Sequence, residues 1–412
     1  MCWLGLRPSL VARRPLPVSV LVAMVVRLAP QILVSFVVCP GGQDDLTARL
    51  RRLEACGLPA DRQEILLLAE PAGAGDNLQA THPRLRILHP TTELCLAPWR
   101  AALQQASGRL VLMLEGGRFP RPGCIRRMID HFERDARLGA AVFSADDQDD
   151  DFPHVVARQG TAYRRQALRH MAQIAPDIGT DHYELSLRLL AADWEVRRFS
   201  DLRLDGVAQR PADAARQRMR SLVLLAARCF PSGWVMPYLR DWAQRGALLA
   251  ARQGQITSWA LGLAEGLALA TRLRQRRPVT GAAFEKFAQA RHIQSQLRRL
   301  ATERPLRRLL LAGFGMNLYA FWRAAQYCGL SIVGVADRQV GGMGRRYRGI
   351  PLVDEAAARG MNHDAVLICS HSPAQRRQLR HTWQNADLRP VIDLLAPSDH
   401  SLTTPTAQAM VA

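Results

Sequence analysis

Lysine is almost missing from this 412-residue chain: Lys286 is the only one among 55 basic residues, and arginine carries the rest of a net charge of +19. A GC-rich genome accounts for that bias as well as selection for binding does. A basic surface attracts phosphates, nucleic acids and anionic membranes, and a merely solvated basic surface would have the same composition. No run of arginines interleaved with aromatics is present and no zinc-finger spacing occurs, so nucleic acid is not an expected partner. The eight cysteines include no C-x-x-C pair, which argues against a zinc site or a redox motif. Several fall in apolar runs, where a free thiol behaves as a small hydrophobe, as suits a reducing cytoplasm. Long apolar runs are missing too. Arg13 and Arg14 precede a stretch from Leu16 to Val26 that resembles a short signal core. It falls short of the roughly 20 residues of a membrane span, Arg27 and Pro30 interrupt it, and no small-residue cleavage site follows. Residues 1–31 therefore read as an N-terminal extension, with Met24 an alternative start.

What remains is the composition of a globular protein, 48% hydrophobic and 22% charged, long enough for two or three domains. Residues 32–39 (ILVSFVVC) are apolar and β-branched, as in a buried parallel strand, and Pro40-Gly41-Gly42 ends them. Leu46, Leu50 and Leu53 mark one helix face. Strands are expected at 64–68, 85–88 and 109–114, with helices at 98–107 and from Ile125 to Phe132. This alternation predicts an α/β fold with a right-handed parallel sheet. Residues 144–151 form an acidic loop, 184–192 a helix and 194–199 a strand. From about Ala212 to Ala301 the pattern is helical and arginine-rich, broken at Pro231 and Pro278; a second α/β pattern runs from 307 to about Leu395. The stretch after 396 reads as a disordered tail.

Over roughly residues 32–208 the order of elements, together with "GRLVLMLEGGRFPRPGCI" (Gly108–Ile125) and "LSLRLLAADWEVR" (Leu185–Arg197), resembles family 2 glycosyltransferases of the GT-A type. The resemblance implies a domain over 32–210 that binds a nucleotide-diphospho-sugar donor and transfers the sugar to a cell-surface glycan or lipid-linked acceptor. By position it implies donor contacts at Pro40, Glu70, Glu115 and Arg118. The family's Asp-x-Asp holds Mg²⁺ or Mn²⁺ through hard oxygen ligands. Here that segment reads Glu115-Gly116-Gly117, so Glu115 is the one metal ligand left, and the later metal-site histidine is matched by Gly206. Gly160–Leu168 resembles the acceptor-side segment, with Arg164 and Arg165, and Asp181-His182-Tyr183-Glu184 occupies the segment of the general base. Asp181 or His182 would take the acceptor proton, with Glu184 beside them. Two readings stay open: a transferase that works without a tightly held metal, its diphosphate faced by Arg118 or by Arg164 and Arg165, or a relative that binds nucleotide or scaffolds without chemistry. Asp181 with Glu184 three residues on also fits a capping box, and the acids from Asp146 to Asp151 are a solvated loop or substitute metal ligands.

Residues 211–304 read as a helical connector, and 215–242 combine Leu222, Leu224, Leu225, Phe230, Trp234, Tyr238 and Trp242 with many arginines. Such a helix suits a peripheral contact with an anionic leaflet of the inner membrane, or it packs on the protein's own core. Residues 305–396 form strand, Gly313-x-Gly315, helix, and a second strand ending at Asp337, 24 residues after Gly313. That spacing fits a phosphate-binding turn and a ribose-binding acid, hence NAD or another nucleotide. Leu318 replaces the third glycine. "DRQVGGMGRRYRGIPLVD" resembles small Rossmann-like domains attached to polysaccharide-biosynthesis enzymes, which implies a regulatory or assembly role more than a dehydrogenase.

Overall fold

The computed structural model describes residues 32–39, 46–68, 82, 85–88, 105–115, 117–144, 155, 160–169, 182–206, 213–272, 277–385, 389–396 and 402–403. The first strands are those expected from the apolar runs: β1 (Val34–Cys39), β2 (Gln63–Leu68), β3 (Leu85–Leu88) and β4 (Leu110–Glu115). Between and after them come α1 (Leu46–Glu54), the two-residue β5 (Phe119–Pro120), α2 (Cys124–Arg134), β6 (Leu138–Ser144), β7 (Thr161–Arg164), α3 (Arg165–Arg169), α4 (His182–Ala191) and β8 (Glu195–Asp205). The eight strands make one sheet in the order β3-β2-β1-β4-β7-β6-β8-β5. β1 pairs in parallel with both β2 and β4, with Val38 opposite Leu67 on one side and Cys39 opposite Glu115 on the other. β7 runs antiparallel to β4 and β6. The fold is α/β, as the alternation predicts.

Because strand side chains alternate between faces, β1 feeds two cores. Val34, Phe36 and Val38 join Leu112, Leu114 and the α2 residues Ile125, Met128 and Phe132 on one face. Val37 joins Val111, Met113 and Val142 on the other. That second face is covered by α4 and by the connector helices α5 (Ala214–Cys229), α6 (Ser232–Arg252) and α8 (Gly281–Ala288), through Leu187, Phe230, Trp242 and Phe287. α7 (Ile256–Arg272) and α9 (Ala290–Glu303) complete the connector. Pro231 ends one helix pattern and precedes the first residue of α6, and Thr280 caps α8 by accepting from the Ala283 N–H.

Leu222, Leu225, Phe230, Tyr238 and Trp242, considered for a membrane face, are all at most 5% exposed. They belong to the core, because a sheet face of this width must be covered. The membrane contact expected of 215–242 is corrected accordingly.

The second sheet holds β9 (Arg308–Ala312), β10 (Ser331–Ala336), β11 (Arg346–Tyr347), β12 (Ile350–Val353), β13 (Ala365–Ile368), β14 (Val391–Ile392) and β15 (Leu402–Thr403) in the order β11-β12-β10-β9-β13-β14-β15. The five strands from β12 to β14 are parallel, in the winding order of nucleotide-binding halves. α10 (Leu318–Tyr327), α11 (Glu355–Arg359) and α12 (Pro373–Gln384) intervene. Leu402–Thr403, within the stretch expected to be disordered, pair with β14. The expected extension at 1–31, most of the acidic loop, the helix at 98–104 and the rest of the tail lie outside the described residues.

At the N-terminal edge of the first sheet, Glu64 is 7% exposed and ties three strands together. Its Oε1 accepts from Ser35 Oγ at 2.5 Å and from Ser107 N and Oγ, both at 2.7 Å, while Arg86 Nη1 reaches Oε2 at 3.4 Å. Burial pushes the carboxyl up, but the bonds from Ser35 and Ser107 and the charge of Arg86 outweigh it and hold the group below its ordinary value. A depressed carboxylate contributes stability above its unfolded-state value and loses it as pH falls through the folded one. Glu64→Gln is therefore expected to cost about 1.5–3 kcal/mol near neutral pH. The gap to the parent chain should shrink in urea titrations carried down through the ordinary carboxylate range, about pH 4. A gap that stays constant with pH would contradict this role.

Candidate functional site

In an open α/β sheet, ligands gather outside the carboxyl ends of the strands, where the strand order reverses. Here the chain leaves β1 toward β2 and β3 and later returns to the other side of β1 as β4. The crevice between the ends of β1 and β4 is thus the switch point. Register sets Cys39 beside Glu115 there, the last residues of the two strands. Glu70 comes two residues after the end of β2 in the sequence. Pro40, Glu70 and the side chain of Glu115 lie outside the described residues.

The turn after β4 is described from Gly117, which has φ +76°, and leads into Arg118 and β5. Arg118 is buried, 1% exposed, rather than open to solvent. Over the ring of the next residue, Phe119, stand two arginines that sequence reasoning passed over. Arg49 and Arg52, on successive turns of the helix that follows β1, place their guanidinium carbons 5.1 and 5.5 Å from the Phe119 ring centroid. Arg49 is 3% exposed and Arg52 is exposed. Their spacing in "LTARLRRLE" was the one available signal, and it reads as an ordinary basic helix face. The switch-point edge is therefore arginine-rich, with Glu115 the carboxylate in its strand.

Among the described residues, this edge supplies no set of converging oxygen ligands of the kind a hard divalent cation takes. Two glycines follow Glu115. At Gly206, the position of the family's histidine, φ is +101° and an added Cβ would press into the carbonyl oxygen of Gly117. Among the described residues no three His, Cys, Asp or Glu side chains converge. Glu115 as a metal ligand rests on the sequence resemblance alone, since its side chain lies outside the described residues.

The acceptor-side residues are dispersed. Arg164 turns inward: Nε donates to Leu138 O at 3.1 Å, Nη2 to Phe132 O at 2.6 Å and Asp135 O at 2.8 Å, and the guanidinium lies 5.4 Å from the Phe132 ring centroid. It closes the C-terminal end of α2, where a cation is favoured. Arg165 Nη1 donates to Ser107 O at 3.0 Å. Glu184 is 1% exposed. It accepts from Arg188 Nε at 3.2 Å and Nη2 at 3.1 Å, and Arg228 Nε stands 3.6 Å away. Glu184 is thus corrected from an acceptor contact to a buried ion cluster between α4 and α5. His182 opens α4, half-buried, with its ring 4.0 Å from that of Tyr183. Asp181 lies outside the described residues.

The expected C-terminal nucleotide site is closed. Gly313 has φ +95°, as a tight strand-to-helix turn requires, yet every residue from Gly313 to Leu318 is buried. α6 lies across them: Trp242 Nε1 donates to Met316 O at 2.7 Å, Arg245 Nε to Phe314 O at 2.5 Å, and the Tyr238 hydroxyl to Asn317 Oδ1. Asp337, expected to bind ribose, accepts from Phe314 N at 2.7 Å, Gln339 N at 2.8 Å and Val340 N at 3.0 Å. Its carboxylate holds the turn itself. The expectation of NAD or another nucleotide at Gly313, Gly315 and Asp337 is corrected, because the connector occupies the approach. The same junction is pinned at Asp241, which accepts from Tyr347 Oη at 2.5 Å and Arg348 Nη2 at 2.7 Å. A groove of about 410 Å³ lies far along the chain from the switch point, on α9, lined by Arg291, Gln294, Ser295, Arg298, Arg299 and Thr302.

No family model matches the chain, and no curated protein matches it. Among solved structures it is similar to a mannosyltransferase, PcManGT from Pyrobaculum calidifontis, in complex with GDP-Man and Mn²⁺. The identity is 16% over 72% of this chain and 86% of that one, with a TM-score of 0.41. For TarS of S. aureus, residues 1–349 in complex with UDP-GlcNAc, the values are 11%, 72%, 92% and 0.42. For glucosyl-3-phosphoglycerate synthase of Mycobacterium tuberculosis with Mn²⁺, UDP and phosphoglyceric acid they are 11%, 52%, 84% and 0.36. At these values the likeness is distant.

Proposed function

We propose that the chain is a glycosyltransferase that takes a sugar from a nucleotide-sugar donor and passes it to a cell-surface glycan or lipid-linked acceptor in the cytoplasm. The observation that carries this reading is the switch point itself. The ends of β1 and β4 meet at Cys39 and Glu115, in the segment whose sequence resembles the donor-binding strand of family 2 transferases. Residues 32–210 form the transferase unit, 211–304 the connector and 305–396 a second α/β unit with a structural role.

The acceptor hydroxyl attacks the anomeric carbon, the bond from that carbon to the diphosphate oxygen breaks, and the nucleoside diphosphate leaves. Asp181 or His182 takes the hydroxyl proton. Negative charge then develops on the leaving diphosphate, and fixed cations in a partly dry site stabilise such charge without reorganising. Arg52, exposed over Phe119 beside the buried Arg49, is the counter-charge of this chain, in the place where proteins of the Asp-x-Asp type use a metal. Pro40 and Glu70 face the nucleoside, and Glu115 orients the sugar.

Turnover of several nucleotide sugars, each measured with Mn²⁺ and with EDTA, tests the reading. EDTA is expected to leave the rate unchanged, Arg52→Gln to raise KM for the donor, and Glu115→Gln to lower kcat. A second reading, a nucleotide-binding partner without chemistry, is favoured by the closed backbone contact between Gly206 and Gly117. Tight nucleotide binding with no turnover of any donor would select it.

A further inference from the structure

Helix α7 has an outer face that none of the described residues covers. It is 17 residues long, so about 25 Å, and it is held to the molecule by its small residues. An added Cβ at Gly262 would press into the backbone of Arg216, one at Gly266 would press on Val223 and Arg220, and the Trp259 indole packs over Gly246. The opposite side exposes Ile256, Ala260, Leu261, Ala264, Leu267 and Ala268, one continuous helical face without a charge. Its large residues are 44% (Ile256), 49% (Leu261) and 48% (Leu267) exposed. A contiguous apolar face of this kind on a protein surface marks an interaction site.

Charge decides between the occupants. From Asp213 to Arg277 the chain carries eleven arginines and three acids. Of the acids, Asp241 is buried at the junction with Arg348, and the two oxygens of Glu265 accept from Arg216 Nε at 3.0 and 3.2 Å, with Nη2 donating to the first as well. Arg252 precedes the helix, Arg272 ends it and Arg277 follows, all exposed. Two copies of a chain with a net charge of +19 repel one another, whereas an anionic leaflet attracts basic residues flanking an apolar face. We propose that the outer face of α7 docks onto an anionic lipid bilayer, the helix lying in the interfacial plane. No helix described is long and apolar enough to cross the membrane, so the contact is one of surface insertion. The inference stands apart from the transfer reading and is tested without any turnover.

The full chain is floated with phosphatidylcholine vesicles, with and without phosphatidylglycerol. It is expected to float with the anionic vesicles only, and less so as salt rises. Leu261→Asp with Leu267→Asp should weaken partition by about tenfold or more. Both leucines are half exposed in the free chain, so the melting temperature should hold to within about 2 °C. If the aspartates lower it, Leu261→Gln and Leu267→Gln, each alone, carry the same test. Arg272→Gln and Arg277→Gln should each weaken binding by about fivefold. Failure of the parent chain to float, or equal flotation of the leucine variants, overturns the proposal. So does a dimer in sedimentation equilibrium that the same substitutions dissolve, since a second copy would then be the occupant.

Discussion

Glu184→Ala is expected to destabilise the chain by about 3–5 kcal/mol, the usual result of removing one partner from a buried ion cluster. Glu184 is 1% exposed and Arg228 3% exposed, and they meet where α4 crosses α5 under the first sheet. Alanine would leave the Arg228 guanidinium in the core without its carboxylate, and a buried cation without a counter-charge is far costlier than a lost surface pair. Arg188, whose side chain is 21% exposed, can turn toward water instead. Arg188→Met should accordingly cost less, within about 1–2 kcal/mol. Urea denaturation of the three proteins measures the order. A Glu184→Ala loss below about 1 kcal/mol would mean that the cluster is hydrated and that the residue is free for an acceptor after all.

Gly206→His puts back the residue that the family resemblance expects at the metal site, and it is expected to harm the fold without restoring metal use. The position has φ +101°, a region that side-chain-bearing residues seldom adopt, at a cost of roughly 1–3 kcal/mol. The new Cβ would also collide with the carbonyl oxygen of Gly117, in the turn that sets Arg118 and β5. Overpacking adds about 1–3 kcal/mol, for a total of about 2–6 kcal/mol. A lower melting temperature that added Mn²⁺ does not recover is the expected result. A stable variant whose melting temperature rises with Mn²⁺ would show that the backbone there accommodates a ligand and that the metal reading stands.

The parts of the fold that sequence reasoning reached are those with dense local signals. β1 to β4 are short apolar runs closed by turn residues, and the helix breaks at Pro231 and Pro278 come from proline's missing donor and fixed φ. The missed elements have weak signals: β6 (LGAAVFS) opens with Leu-Gly-Ala-Ala, and β7 (TAYR) is four residues of mixed polarity. In the candidate site the limit is long-range packing. The i, i+4 pair Glu184–Arg188 is visible in sequence, but Arg228, 44 residues on, turns an apparently exposed acid into a buried one. The Gly313–Asp337 spacing correctly marks a strand, a glycine turn and a second strand; what it cannot carry is α6, whose Trp242 and Arg245 close that turn. Ser35, Glu64 and Ser107 likewise meet only in three dimensions, and at the sheet edge opposite the switch point.

On the proposed transfer reading, a nucleoside diphosphate binds at the carboxyl ends of β1 and β4. Photolabelling of the full chain with an azido-UDP-sugar and an azido-GDP-sugar, followed by mass mapping of the labelled peptides, tests it most directly. Label concentrated in peptides holding Pro40, Glu70 and Glu115–Arg118, and competed by unlabelled nucleotide, is the predicted result. Competable label at Gly313–Asn317, or label spread over arginine-rich helices without competition, would contradict it.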